Sequence, residues 1–118
     1  MTRHVIGKLD EFPSDTRHVV DIDGEEIAVF NVSGAFHAMR NACPHKGAPL
    51  CTLPPTGMMV ESAPDVYEWG REDEIVRCPW HGFEFNLSDG KSVLAPHLKM
   101  RARVYKVAIE GEEVAIYL

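Results

Sequence analysis

Residues 19–39 read Val19-Val20-Asp21-Ile22-Asp23-Gly24-Glu25-Glu26-Ile27-Ala28-Val29-Phe30-Asn31-Val32-Ser33-Gly34-Ala35-Phe36-His37-Ala38-Met39. Three short β-rich runs, Val19 to Ile22, Ile27 to Val32 and Phe36 to Met39, are separated by Asp23-Gly24 and Ser33-Gly34. Such pairs accept the positive φ that two-residue hairpin turns need, so the stretch predicts an antiparallel meander. The same texture returns further on, in Glu74 to Arg77, Phe83 to Leu87, a Ser88-Asp89-Gly90 turn, Arg101 to Ile109, and Glu113 to Tyr117 beyond Glu110-Gly111. Arg101 to Ile109 alternates as a strand with one wet face does. There is no convincing amphipathic helix, internal repeat or low-complexity tract. The expected class is therefore all-β, a small sandwich or barrel of roughly eight to ten short strands.

Composition narrows the function classes. The 118 residues suit one domain, 1–118, with a single modest core, and 45% hydrophobic against 25% charged residues is the balance of a folded chain. Twelve Lys and Arg against 18 Asp and Glu give a net charge of −6. That argues against nucleic acid and favours a basic docking protein. No apolar run approaches membrane-spanning length and no basic-then-apolar leader opens the chain, so no membrane is expected. Three cysteines cannot form a fully paired disulfide framework; thiol chemistry or metal ligation in a reducing, cytoplasmic setting is expected instead.

Two stretches interrupt the β pattern. Cys43-Pro44-His45-Lys46-Gly47-Ala48-Pro49-Leu50 and Cys78-Pro79-Trp80-His81-Gly82-Phe83 are loops by their Pro and Gly content, and each supplies one Cys and one His. Two thiolates and two imidazoles suit either zinc or an iron-sulfur cluster. Zinc fingers group their Cys and their His separately and follow them with a helix, whereas here each loop is mixed. The mixed pairing fits a [2Fe-2S] cluster with two thiolates on one iron and two imidazoles on the other. Between the loops, about 52–74 forms a polar excursion or hairpin that starts with Leu53-Pro54-Pro55-Thr56-Gly57 and carries Tyr67 and Trp69.

In these two motifs, and in the flanking β pattern over most of its length, the chain resembles the Rieske family. The resemblance implies a Rieske iron-sulfur fold of stacked antiparallel sheets with two cluster-binding loops at one tip. It implies one [2Fe-2S] cluster, with Cys43 and Cys78 on the buried iron and His45 and His81 on the outer one. Gly47 and Gly82 would let backbone N–H groups approach the cluster sulfurs. High-potential Rieske proteins add a disulfide between the loops and hydroxyls bonded to sulfur. Here Ala48 and Trp80 stand where the disulfide would sit, and Phe83 and Phe85 where the hydroxyls would sit. A low reduction potential is therefore expected.

Low potential implies an electron carrier of the ferredoxin type. It would take electrons from a flavin- or ferredoxin-type reductase and pass them to a terminal oxygenase, as a dioxygenase component with no catalysis of its own. The length leaves no room for a second, mononuclear-iron domain. The alternative is a small Rieske subunit of another oxidoreductase complex, nitrite-reductase-like or arsenite-oxidase-like; a third is a zinc-stabilised binding module. Cys51 reads as a small buried hydrophobe rather than a further ligand or a redox switch. His4, His18 and His37 read as ordinary half-buried or surface side chains. His97 follows Pro96, which matches the proline-bearing third loop of Rieske proteins, but both irons are already filled. Trp80 and Phe83 are expected to shield the cluster from water.

Overall fold

The structure, a computed structural model, describes residues 2–44, 47–52, 55–60, 68–79, 84–93 and 101–118, with the backbone alone at 52, 57–60 and 68–73. Nine strands lie among the described residues: β1 (Arg3–Lys8), β2 (Thr16–Ile22), β3 (Glu25–Val32), β4 (Ala35–Arg40), β5 (Thr56–Val60), β6 (Glu68–Arg77), β7 (Glu84–Asn86), β8 (Val104–Glu110) and β9 (Glu113–Tyr117). Two single-turn 3-10 helices, Leu9–Glu11 and Leu50–Thr52, complete the described elements. All strand pairings are antiparallel, in a six-stranded sheet of order β1-β9-β8-β4-β3-β2 and a three-stranded sheet of order β5-β6-β7. The all-β expectation holds.

The turn chemistry works as the sequence predicts. Ile22 pairs with Glu25 across Asp23 and Gly24, whose φ values are 53° and 85°. Val32 pairs with Ala35 across Ser33 and Gly34, at 50° and 92°. Two consecutive positive φ values define the tight turn whose twist matches that of its strands. At the third hairpin Glu110 pairs with Glu113, and Gly111 takes the left-handed position at 65°.

β3 is buried on both faces, because the larger sheet has apolar layers on each side. Ala28 and Phe30 face one core with Met39, Val76, Phe85 and Leu87, while Ile27 and Val29 face the other with Phe12, Ala38, Val114 and Ile116. The period of two along the strand divides its side chains between the layers. The first core joins the two sheets, since Val76 and Phe85 belong to the small one. It also contains Ala102, Cys43 and Cys78.

Three expectations change. β8 begins at Val104, not Arg101: Arg101 makes only an isolated bridge to Lys91, and Ala102 donates its N–H to the Gly90 carbonyl at 2.8 Å. The run alternates, but residues 101–103 are spent crossing the turn at 87–90. The expected strand from Phe83 to Leu87 is shorter, Glu84–Asn86, with Leu87 in the turn and Phe83 outside the described residues. In the 52–74 excursion the described part is a hairpin, with Met58 opposite Gly70, Met59 opposite Trp69 and Val60 opposite Glu68. β6 then continues without interruption to Arg77, so the strand expected to start at Glu74 starts at Glu68.

Candidate metal centre

The first loop leaves β4 at Asn41 and is closed by its own backbone. Cys43 donates its N–H to the Ala48 carbonyl at 2.7 Å, and the Cys43 carbonyl accepts the Gly47 N–H at 2.7 Å. Gly47 sits at φ 78°, a left-handed conformation that glycine adopts without a steric penalty. The left-handed dihedral expected of Gly47 is present, and its N–H is bonded to the Cys43 carbonyl. Its role is to turn the chain so that Ala48 and Leu50, both fully buried, anchor the loop in the core.

Asn41 holds the ends of this loop together. Its N–H donates to the Glu26 carbonyl at 2.9 Å and its side-chain oxygen accepts the Cys51 N–H at 2.7 Å. The amide Nδ2 reaches the Glu26 carboxylate at 3.5 Å, and Arg17 Nε donates to the Cys51 carbonyl at 2.9 Å. Asn41 is 8% exposed, so its bonds are shielded from water. Sequence reading missed this residue; the available signal was an Asn at a strand end just before a Cys-Pro loop, where its side chain can bond nearby backbone. Asn41→Ala is expected to cost roughly 1–3 kcal/mol by leaving the Cys51 N–H without its acceptor. Thermal melts and the rate of iron release to a chelator check this; an unchanged release rate would show that the staple does not set the loop.

The second loop joins β6 to β7. Arg77 pairs with Glu84 in register, and their side chains meet at 3.5 Å, with Glu84 7% exposed at its side chain and Arg77 46%. This pair closes the base of the connection that starts at Cys78. Cys78 is 1% exposed and Cys43 2%, neither is in a disulfide, and both belong to the core that joins the sheets. Two loops from different sheets thus deliver one buried cysteine each to the same apolar cluster, beside Ala48 and Phe85.

His45 and His81, with Trp80, Gly82, Phe83, Pro96, His97 and Tyr67, lie outside the described residues, as does the Trp69 side chain. Cys51 is half-buried and packs against the core, where burial pushes its thiol pKa up and Arg17 opposes the shift. His4, His18 and His37 are half-buried, as expected. His18 bonds Thr16 at 2.9 Å and stacks edge-on against Phe12.

The donor chemistry fits an iron-sulfur group. Two buried, unbridged thiols in one core are what thiolate ligation of a cluster requires.

This is a small β architecture that brings one buried cysteine from each loop into the core between two sheets. The sequence profile of the Rieske [2Fe-2S] domain matches residues 2–117, and the chain belongs to that family and carries a Rieske-type [2Fe-2S] cluster. It is 30% identical over 110 residues to the ferredoxin component of the naphthalene 1,2-dioxygenase system of Pseudomonas aeruginosa, covering 93% of this chain and 89% of that protein. It is 35% identical over 97 residues to apoptosis-inducing factor 3 of Mus musculus, covering 82% of this chain but only 13% of that much longer protein. Among solved structures, the ferredoxin of carbazole 1,9a-dioxygenase from Nocardioides aromaticivorans IC177 superposes with a TM-score of 0.70, at 24% identity, over 98% of this chain and 97% of that one. Among the described residues no helix is long and apolar enough to cross a membrane.

Proposed function

We propose that this chain is a one-electron carrier, a Rieske ferredoxin that takes electrons from a flavin- or ferredoxin-type reductase and delivers them to a terminal oxygenase. Cys43, His45, Cys78 and His81 are its proposed ligands, residues 1–118 its single domain with the 52–74 excursion between the loops, and the cytoplasm its compartment. The observation that carries the reading is the convergence of two buried cysteines outside any disulfide, one from each loop, in the core between the sheets. Similarity along 89% of a dioxygenase ferredoxin component supports the electron-carrier role, and three unbridged thiols support a reducing compartment.

When bound, the cluster accepts and releases single electrons. The polypeptide's part is to hold its ligands still. The backbone bonds at Cys43, the Asn41 staple and the Arg77–Glu84 pair fix the loop bases, while Ala48, Leu50, Phe85 and Leu87 keep the buried side dry.

The purified protein should be red-brown and, on reduction, show the low average g value of a His-ligated [2Fe-2S] centre. A colourless zinc protein would overturn the reading. Ala48 and Phe85 are fully buried in the core that holds both thiols, and neither brings a hydroxyl or a third sulfur. The midpoint potential is accordingly expected near the low end of the Rieske range, roughly −150 mV. Voltammetry at neutral pH measures it, and a clearly positive value would contradict the carrier assignment.

A further inference from the structure

The net charge of −6 suggests a basic partner, but the surface beside the first loop has the opposite sign. A cavity of about 310 Å³ opens against that loop. Its described lining includes Arg40, Arg101 and Arg103 together with Cys43, Pro44 and Gly47, and holds no carboxylate. Three of the chain's seven arginines therefore gather at one loop of an acidic protein.

Their placement is built into the fold. Arg40 ends β4, and its N–H donates to the Arg103 carbonyl at 2.8 Å, which sets the two residues side by side. Arg101 is held by its bridge to Lys91 and by Nε donating to the Asp89 carbonyl at 3.0 Å. Arg103 lies over the Tyr105 ring, 5.5 Å from its centroid. The Arg101 and Arg103 contacts use a backbone carbonyl and a ring face, although the Asp89 carboxylate also feels the Arg101 charge. On the acidic side, Asp23, Glu25 and Glu26 share a neighbouring recess with Arg40 and Arg103. Glu25 comes to 4.0 Å of Arg40 Nε while also accepting the Tyr105 hydroxyl. Burial and that bond push the Tyr105 pKa up to about 12, so the hydroxyl remains a donor at neutral pH.

We propose that this arginine-lined cavity is the docking point for an electron-transfer partner protein, which seats Asp or Glu side chains on Arg40, Arg101 and Arg103 against the first loop. A carboxylate meets a guanidinium fork in a fixed, two-bonded geometry. An acidic partner is repelled by most of this surface and attracted here, so charge selects the orientation in which the loop faces it. The purpose assigned to the cavity rests on the electron-carrier reading.

Stopped-flow oxidation of the reduced holoprotein by anionic ferricyanide and by cationic tris(phenanthroline)cobalt(III), over a range of ionic strength, tests the inference. The ferricyanide rate should fall as salt rises, contrary to what net charge dictates. Arg101→Gln with Arg103→Gln should lower the low-salt ferricyanide rate about fivefold or more. Arg3→Gln with Lys8→Gln, an equal change in net charge elsewhere, should alter it by less than about twofold. A ferricyanide rate that rises with salt, or an equal response of the two double variants, overturns the proposal. A fluorescent hexaglutamate peptide, followed by anisotropy, gives a readout that needs no redox chemistry. It should bind the parent chain and lose binding in the Arg101/Arg103 variant; binding of inorganic phosphate without the peptide would mark a small-anion site and overturn the docking role. A chain that never yields a reducible cluster would defeat the carrier reading while the peptide titration still decides the cavity.

Discussion

Cys78→Ala is expected to yield a folded protein with background iron, and Cys43→Ala the same. Each substitution removes one sulfur from the core between the sheets, where both thiols are almost fully shielded from water. No other described cysteine reaches that core as a buried member: Cys51 is half-buried and packs at its edge. A replacement ligand is thus not at hand, and the loss should be complete rather than partial. The metal's binding free energy also stabilises the fold, so the iron-free variants should melt below the parent. Iron and sulfide assays with the visible spectrum measure the first effect, and circular dichroism shows that the chain has folded. Cys51→Ala is the control. Its contributions, an N–H given to Asn41 and a carbonyl bonded by Arg17, come from the backbone and survive the change. Iron content and spectrum should match the parent. A normal cluster in Cys78→Ala would refute the ligand assignment.

What the sequence made legible was local. Asp23-Gly24, Ser33-Gly34 and Glu110-Gly111 announce hairpins because turn conformation is decided by the residues in the turn. The two Cys-Pro loops announce a metal site because thiol and imidazole pairs have few other uses at that spacing. What was not legible depends on elements far apart in the chain. Asn41 is an unremarkable polar residue until β3 supplies the Glu26 carbonyl and the loop exit supplies the Cys51 N–H. The stretch 52–74 reads as a polar excursion or hairpin, but no local signal shows that its second strand, β6, runs on unbroken to Arg77, next to Cys78. The alternation of Arg101 to Ile109 predicts a strand from its first residue. A backbone crossing delays it, and periodicity does not reveal a crossing. The same limit applies to charge: the total of −6 is a property of the composition, while the gathering of Arg40, Arg101 and Arg103 follows from β4 meeting residue 103.

That crossing makes Gly90 the glycine least replaceable among those described. It is buried at φ 77°, and a Cβ built on it would stand 2.0 Å from the Ala102 carbonyl oxygen and 2.9 Å from its carbon. Both atoms are backbone, so no side chain can swing aside. Relieving the overlap means separating the turn at 87–90 from residues 101–103 and breaking the bond from the Ala102 N–H to the Gly90 carbonyl. Ala102 would leave the core that contains Cys43 and Cys78, and Arg101 and Arg103 would leave the cavity with it. Gly90→Ala should therefore cost roughly 3 kcal/mol or more, from left-handed strain plus the lost contacts. For a domain of this size that corresponds to a fall in Tm of about 10 °C or more. Gly47→Ala provides the contrast. Its φ of 78° is nearly the same, but nothing lies within 4 Å of the added Cβ. Only the conformational term applies there, about 1–2 kcal/mol. Melting the two variants side by side separates backbone strain from backbone collision. Equal losses of stability would mean that residues 101–103 are not packed against Gly90 in solution.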